Sequence, residues 1–304
     1  MSGYTSLTQG FGATTQDVKR SLDTFGSSRY VSGTREFLES NSLVAKVAFL
    51  LLIVIVFIVL LRLGTSLLGY LLTPSRNPKL VDGLKAGNKP KVIPQDPRLK
   101  NSQPIYRSAN QQDGIEFTYS VWLMIDDIKD NGQYKHIFHK GNDGFSMGRT
   151  PDGMNFPNNA PGLYLGKDPH DLNSLVVVMN TYDPNDSTSQ TTIMEKVIVQ
   201  DIPLNKWFHV AIRLEGKQLD TYVNGMIVNR TELRGVPKQN YGDVYVSVNG
   251  GFDGEMSNLF YNDYALSVNE INRMVSSGPN LKSDATAASV PRYLSLQWYF
   301  DQSN

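Results

Sequence analysis

The chain has 304 residues, with 29 Lys and Arg balanced by 29 Asp and Glu, so its global charge gives no reason to expect nucleic acid or another polyanion as the main partner. It has no cysteine, which excludes disulfides, thiolate metal sites and cysteine nucleophiles. That absence suits a cytosol-facing domain, although a domain of this size folds without disulfides in any compartment.

Residues 1–42 form a polar arm rich in Gly, Ser and Thr, with Tyr4, Phe11, Phe25, Tyr30 and Phe37 scattered through it. Such a composition does not fold alone; if the arm is held in place, the simplest cause is a partner surface against which those aromatics bury. Thr34 is placed to cap a helix running into the apolar segment behind it.

Residues 47–61 (VAFLLLIVIVFIVLL) carry no polar side chain, and with 43–46 they are long enough to cross a hydrocarbon core of about 30 Å. A soluble helix would keep a polar face, and this one has none. A transmembrane helix is predicted over 43–72, with a core span of 43–62. Leu43, Val47, Phe57 and Leu61 lie in that span, Lys46 snorkels to the headgroups, and Arg62 marks the far boundary. Extending the span to Leu72 would hold Arg62 inside at a cost of roughly 2.5–3.5 kcal/mol. The second apolar run is therefore expected at the interface. Forty-two residues precede the span and no small-residue cleavage site follows it, so it does not read as a cleaved signal peptide. Gly3 is one place too late for myristoylation.

Lys and Arg are denser after the span (Arg62, Arg76, Lys79, Lys85, Lys89, Lys91) than before it (Arg29, Arg35, Lys46). This places the C-terminal domain of a single-pass protein on the cytosolic side. The sequons Asn185-Asp186-Ser187 and Asn229-Arg230-Thr231 would argue for the lumenal side if glycosylated. Residues 73–112, with Pro74, Pro78, Pro90, Pro94, Pro97 and Pro104 among basic residues, are expected to form an extended basic linker at about 3.1 Å per residue.

Residues 113–304 are predicted to form one β domain. Phe117, Tyr119, Val121, Leu123 and Ile125 alternate with Glu116, Thr118, Ser120, Trp122 and Met124, the period of a strand. Further short strands are expected at 135–139, 163–166, 174–181, 196–199, 207–214, 218–223, 226–231, 244–248, 255–261 and 293–300, separated by Gly, Asn, Asp and Pro. Asn224-Gly225 makes a two-residue hairpin. Ser267 and Glu270 form a capping box before one helix that stops at Gly278-Pro279. The class is all-β, an antiparallel two-sheet sandwich preceded by one transmembrane helix.

Four phrases occur in order: NKWFHVAI at 205–212, LDTYVNG at 219–225, FDGEMSNL at 252–259 and YALSVNEI at 264–271. Together they resemble the laminin-G-like, concanavalin-A-like lectin and glucanase superfamily, which implies a jelly roll of two stacked antiparallel sheets. The wider layout of polar arm, span, linker with IPQDP at 93–97 and sandwich is similar to membrane-anchored virion proteins of large nucleocytoplasmic DNA viruses. That resemblance implies a minor capsid protein linking an internal membrane to the shell.

Glucanases of such a superfamily use two carboxylates about 5–5.5 Å apart when retaining, carried on an E-x-D-x-E strand. No such segment exists here, and Asp126 and Asp127 are adjacent, which points them apart. Activity as an enzyme is not expected. His136 and His139, three apart, are expected on opposite strand faces; His209 faces away from Phe208 and Val210, and His170 lies in a loop, so no zinc site is expected. The resemblance makes calcium the better-motivated ion, with Asp126, Asp127, Asp130 and Asn131 as one candidate loop and Asp183, Asn185 and Asp186 as another. Neither matches an EF-hand, and solvated turn carboxylates are the plainer reading. A sugar would stack on exposed aromatics; Phe156, Tyr182 and Tyr241 in loops are the candidates, whereas Trp122, Trp207 and Trp298 fall in strand patterns. The residues are expected to form a non-enzymatic, membrane-anchored interaction protein with a lipid bilayer as one partner; the resemblance to virion proteins implies other capsid or membrane proteins as further partners. A glycan-binding lectin is the alternative.

Overall fold

The computed structural model describes residues 43–72, 75–99, 102–108, 114–128, 132–166, 173–188 and 191–283. The arm with Thr34, the strand expected at 293–300, His170 and Trp298 lie outside them. The chain divides into two units.

The first described element is helix α1, Leu43–Leu72, about 45 Å long at 1.5 Å per residue. Lys46–Leu71 is long and apolar enough to cross a membrane by length and composition. Leu43, Val47, Phe57 and Leu61 are exposed along it. The helix does not end at Arg62. Gly64 and Gly69 each weaken a helix by only about 1 kcal/mol, and the Thr65 hydroxyl donates to the Arg62 carbonyl at 3.0 Å, so the turn continues until Pro74 approaches. A hydrocarbon core takes only about 20 residues, so α1 exceeds it.

The second unit is a sandwich of β1 (Lys79–Ala86), β2 (Lys91–Ile93), β3 (Glu116–Asp127), β4 (Lys135–Gly141), β5 (Gly162–Leu165), β6 (Leu175–Tyr182), β7 (Thr192–Val199), β8 (Phe208–Glu215), β9 (Gln218–Val223), β10 (Met226–Glu232), β11 (Asp243–Val246) and β12 (Asp253–Asn262), with helix α2 at Val268–Ser277. One sheet has the order β1-β12-β3-β8-β9-β10 and the other β2-β11-β4-β5-β6-β7. All the strand pairs are antiparallel.

Two strands come from the stretch expected to be an extended linker. β1 pairs with β12 and β2 with β11. The prolines permit this because they flank the strands: Pro78 precedes β1, and Pro90 and Pro94 bracket β2. Both strands are sheet edges, where proline is tolerated.

The core lies between the sheets. Phe117, Tyr119, Val121, Leu123 and Ile125 of β3 meet Leu163, Leu165, Val177 and Met179 of the opposite sheet; each such side chain contributes roughly 1.5–3 kcal/mol by burial. On the other side of β3 and its neighbours, α2 and the loop before it cover Ala211 and Tyr222 with Leu266 and Ile271. The α2 start is a capping box, with Ser267 N–H donating to Glu270 Oε2 at 2.8 Å and Glu270 N–H to Ser267 Oγ at 3.4 Å. The β9–β10 turn places Asn224 at φ 50° and Gly225 at φ 82°, the double positive φ of a two-residue hairpin.

His136 and His139 are not on opposite faces. The β4–β5 register shifts between His136 and Phe138, and this bulge sends both Ile137 and Phe138 into the core. An extra residue in the strand resets its alternation, so both imidazoles emerge on the outer face, where His136 Nε2 and His139 Nδ1 are 2.7 Å apart. Phe145, Tyr164 and Tyr245 close over them.

Candidate binding cleft

Several strand ends meet at one end of the sandwich, and a cavity of about 280 Å³ opens there. Its floor is aromatic because β3 and β12 deliver inward-facing rings at adjacent register: Tyr119 stands opposite Tyr261, with ring centroids 5.0 Å apart, and Phe117 meets Tyr119 edge-on at 5.5 Å. Tyr119 is 2% exposed, and its hydroxyl has no hydrogen-bond partner among the described residues. Burial, reinforced by Tyr261, holds that hydroxyl well above the ordinary tyrosine range, so it stays a donor.

One wall is the segment carrying Ile105, Tyr106 and Arg107. Tyr261 Oη donates to the Tyr106 carbonyl at 2.6 Å, and Ile105 N–H donates to Gln95 Oε1 at 2.8 Å. Gln95 N–H in turn donates to Asp243 Oδ1 at 2.8 Å. The opposite wall is the β10–β11 connection. Tyr182 N–H donates to the Val236 carbonyl and Lys238 N–H to the Asn180 carbonyl, at 2.9 and 2.8 Å. Glu195 accepts Thr181 Oγ1 at 2.6 Å together with the N–H groups of Arg234 and Gly235. The buried Lys140 ammonium donates to the carbonyls of Asn240 (3.2 Å) and Gly242 (2.5 Å). Burial lowers its pKa to about 8, with Asp243 opposing the shift, so it remains mostly protonated at neutral pH.

At the rim, Tyr241 is 92% exposed, Tyr106 is partly exposed, and the Lys238 ammonium lies 5.7 Å from the Tyr182 ring centroid. Of the three aromatics singled out from the sequence, the structure brings Tyr182 and Tyr241 together in the cleft. Phe156 is 45% exposed but does not line it. Tyr106, Arg107, Tyr119 and Lys140 were not foreseen. Tyr-Arg at 106–107 was the available signal, hidden within a stretch read as linker. A second cavity, of about 320 Å³, has mostly aliphatic walls from Ile198, Val199, Ile202, Val223 and Val228 and offers no ring to stack on.

Asp126 and Asp127, at the end of β3, are exposed, and Asp127 stands opposite Asp253; Asp130 and Asn131 lie outside the described residues. In the second acidic loop, Asp183 accepts Asn185 N–H at 2.9 Å, and Asp186 accepts the N–H and hydroxyl of Thr188 and the N–H of Thr191. These bonds hold the Asp186 carboxyl below its ordinary range and tie it to its own turn. Among the described residues no group of three or more His, Asp or Glu is placed to hold a metal ion. His209 packs edge-on against Trp122, centroids 5.3 Å apart.

Two stacked antiparallel sheets with a helix on one outer face define a lectin-like sandwich. The chain belongs to the concanavalin A-like lectin/glucanases superfamily: residues 100–272 match its laminin G family. Among solved structures, the receptor binding domain of botulinum neurotoxin D is 12% identical over 64% of this chain and 47% of its own, with a TM-score of 0.41. That of the C/D mosaic serotype is 14% identical over 54% and 36%, with a TM-score of 0.39. The binding domain of Paraclostridial Mosquitocidal Protein 1 is 16% identical over 64% and 47%, with a TM-score of 0.38. The chain thus spans less than half of each of these domains. No curated protein matches the sequence.

Proposed function

We propose that the protein is a membrane-anchored binding module that holds the terminal sugar of a glycan in the cleft and performs no chemistry on it. The observation that carries this is the convergence of Tyr106, Tyr182 and Tyr241 on one cavity. Exposed rings give a sugar's apolar face a stacking platform while neighbouring polar groups take its hydroxyls. The volume lies near the roughly 300 Å³ lower end of ligand sites, enough for a small terminal unit. No Asp or Glu lines the cleft among the described residues, so the carboxylate pair that glycoside hydrolysis needs is not supplied there. Helix α1 is the anchor. The excess of Lys and Arg after it favours a cytosolic sandwich, where the sugar would belong to a glycosylated coat protein, because a membrane glycoprotein carries its glycans on the opposite face.

The test is a glycan array probed with the full chain in lipid nanodiscs, with and without calcium, beside Tyr182→Ala and Tyr241→Ala. Saturable binding weakened by both substitutions is expected. Binding to nothing on the array, or binding indifferent to both changes, overturns the proposal. Docking onto other capsid or membrane proteins is the second reading. It is favoured by the exposed apolar run Met226, Ile227 and Val228 on β10, an edge strand open to pairing. Crosslinking from β10 to a capsid or membrane protein, with no sugar bound, would favour it.

A further inference from the structure

Resting on the glycan reading, we infer that the cleft selects an acidic sugar, whose carboxylate or sulfate is held by Arg107 while the ring stacks on the rim tyrosines. Arg107 lines the cleft with an exposed side chain, and among the described residues it has no hydrogen bond or ion pair. Four other guanidinium groups of the domain are matched, Arg76 to Asp263, Arg98 to Asp96, and Arg213 and Arg230 to Asp220. Among the described residues Arg149, Arg234 and Arg273 are not, but Arg107 is the arginine that lines the cleft. An arginine left unmatched at a cleft rim presents a planar fork of donors suited to two oxygens of one anion.

The other charged residue of the lining, Lys140, has the same sign. Lys140 spends two of its three N–H bonds on the carbonyls of Asn240 and Gly242, which leaves one donor and its charge. Lys238, outside the lining itself, adds a cation beside Tyr182. Two carboxylates lie behind the walls and temper this charge: Asp243, which accepts Gln95 N–H and acts on the Lys140 ammonium, and Glu195, which accepts Thr181 Oγ1 and the N–H groups of Arg234 and Gly235; neither lines the cleft. The unpartnered Tyr119 hydroxyl on the floor supplies a neutral donor for a ring or anomeric oxygen. A neutral sugar would use the rings and this hydroxyl but leave Arg107 unused; an acidic sugar uses all of them.

The experiment compares methyl β-D-glucuronide, glucose 6-sulfate and methyl β-D-glucoside by ligand-observed NMR. The full chain is held in nanodiscs of uncharged phosphatidylcholine and studied as wild type, Arg107→Met and Tyr182→Ala, with circular dichroism confirming that each variant is folded. At least one acidic sugar should bind tenfold or more tightly than the glucoside, and the stronger of the two identifies the anion. Arg107→Met should remove that preference, lowering acidic-sugar affinity about tenfold while leaving the glucoside unchanged; Tyr182→Ala should weaken all three. Added salt should erode only the acidic arm. Equal affinity for glucoside and acidic sugars, or an equal loss for all in Arg107→Met, overturns this inference and leaves the glycan reading standing. Binding of none of the three, with none on the array, overturns both.

Discussion

Acidification from pH 6.5 to 5 should destabilise the sandwich through its buried histidines, and the hydrogen-bond chain at His136 and His139 shows why. Val248 N–H donates to His136 Nδ1 at 3.2 Å, so that nitrogen carries a lone pair and the proton sits on Nε2. His136 Nε2–H then donates to His139 Nδ1 at 2.7 Å, and His139 Nε2–H to the Asn142 carbonyl at 3.1 Å. All four ring nitrogens are satisfied only while both rings are neutral; an added proton sets one N–H against another. Burial pushes the His136 pKa well below its ordinary value, with His139 and Lys85 adding to the effect. It lowers His139 to about 4, aided by Lys140 and opposed by the Asn142 carbonyl and Asp143, and lowers His209 to about 4.

A histidine whose folded pKa is depressed contributes stability that is fully present above the unfolded value near 6.5 and is lost as pH falls toward the folded one. At 1.36 kcal/mol per unit, the 1.5 units between pH 6.5 and 5 remove about 2 kcal/mol for each of His139 and His209, with His136 adding to the loss. Asp143, Asp186 and Glu270 are held below their ordinary values by hydrogen bonds, so their contribution is lost only below about pH 5, near their unfolded pKa. Urea unfolding followed by tryptophan fluorescence at pH 7.5, 6.5, 5.75 and 5 separates the two windows. With a slope of about 1–3 kcal/mol per molar urea, the midpoint should fall by at least about 1 M. A midpoint that holds steady from pH 7.5 to 5 would refute the argument.

His209→Phe keeps a ring against Trp122 and removes one titrating group, so the loss between pH 6.5 and 5 should shrink by about 2 kcal/mol in the same urea titration. Asp220 is fully buried between Arg213 and Arg230. Asp220→Ala leaves the mostly buried Arg213 with the partly exposed Glu215 and the Leu266 carbonyl and should cost about 3 kcal/mol, measured by thermal unfolding. Ser267→Ala removes the α2 cap and should cost about 1 kcal/mol, read from the same melts.

Features of this chain that depend on neighbours in sequence were legible without a structure. The apolar span needs only an unbroken run of side chains, the β8–β10 meander only alternation and an Asn-Gly turn, and α2 only Ser267, Glu270 and Gly278. Each is a short-range matter of backbone geometry and local hydrogen bonding. The tertiary structure decided what depends on distant partners. β1 and β2 carry too little periodicity to be read as strands and exist because β12 and β11 pair with them, some 150 or more residues away, as Val81 with Leu259 and Val92 with Tyr245. The bulge at Ile137 and Phe138 reset the faces of β4 and joined two histidines that strict alternation would part. The cleft likewise has no sequence motif, because its residues come from separate strands and loops. Tyr106 and Arg107 become part of it only when Tyr261 and Gln95 fasten their segment across the end of the sandwich.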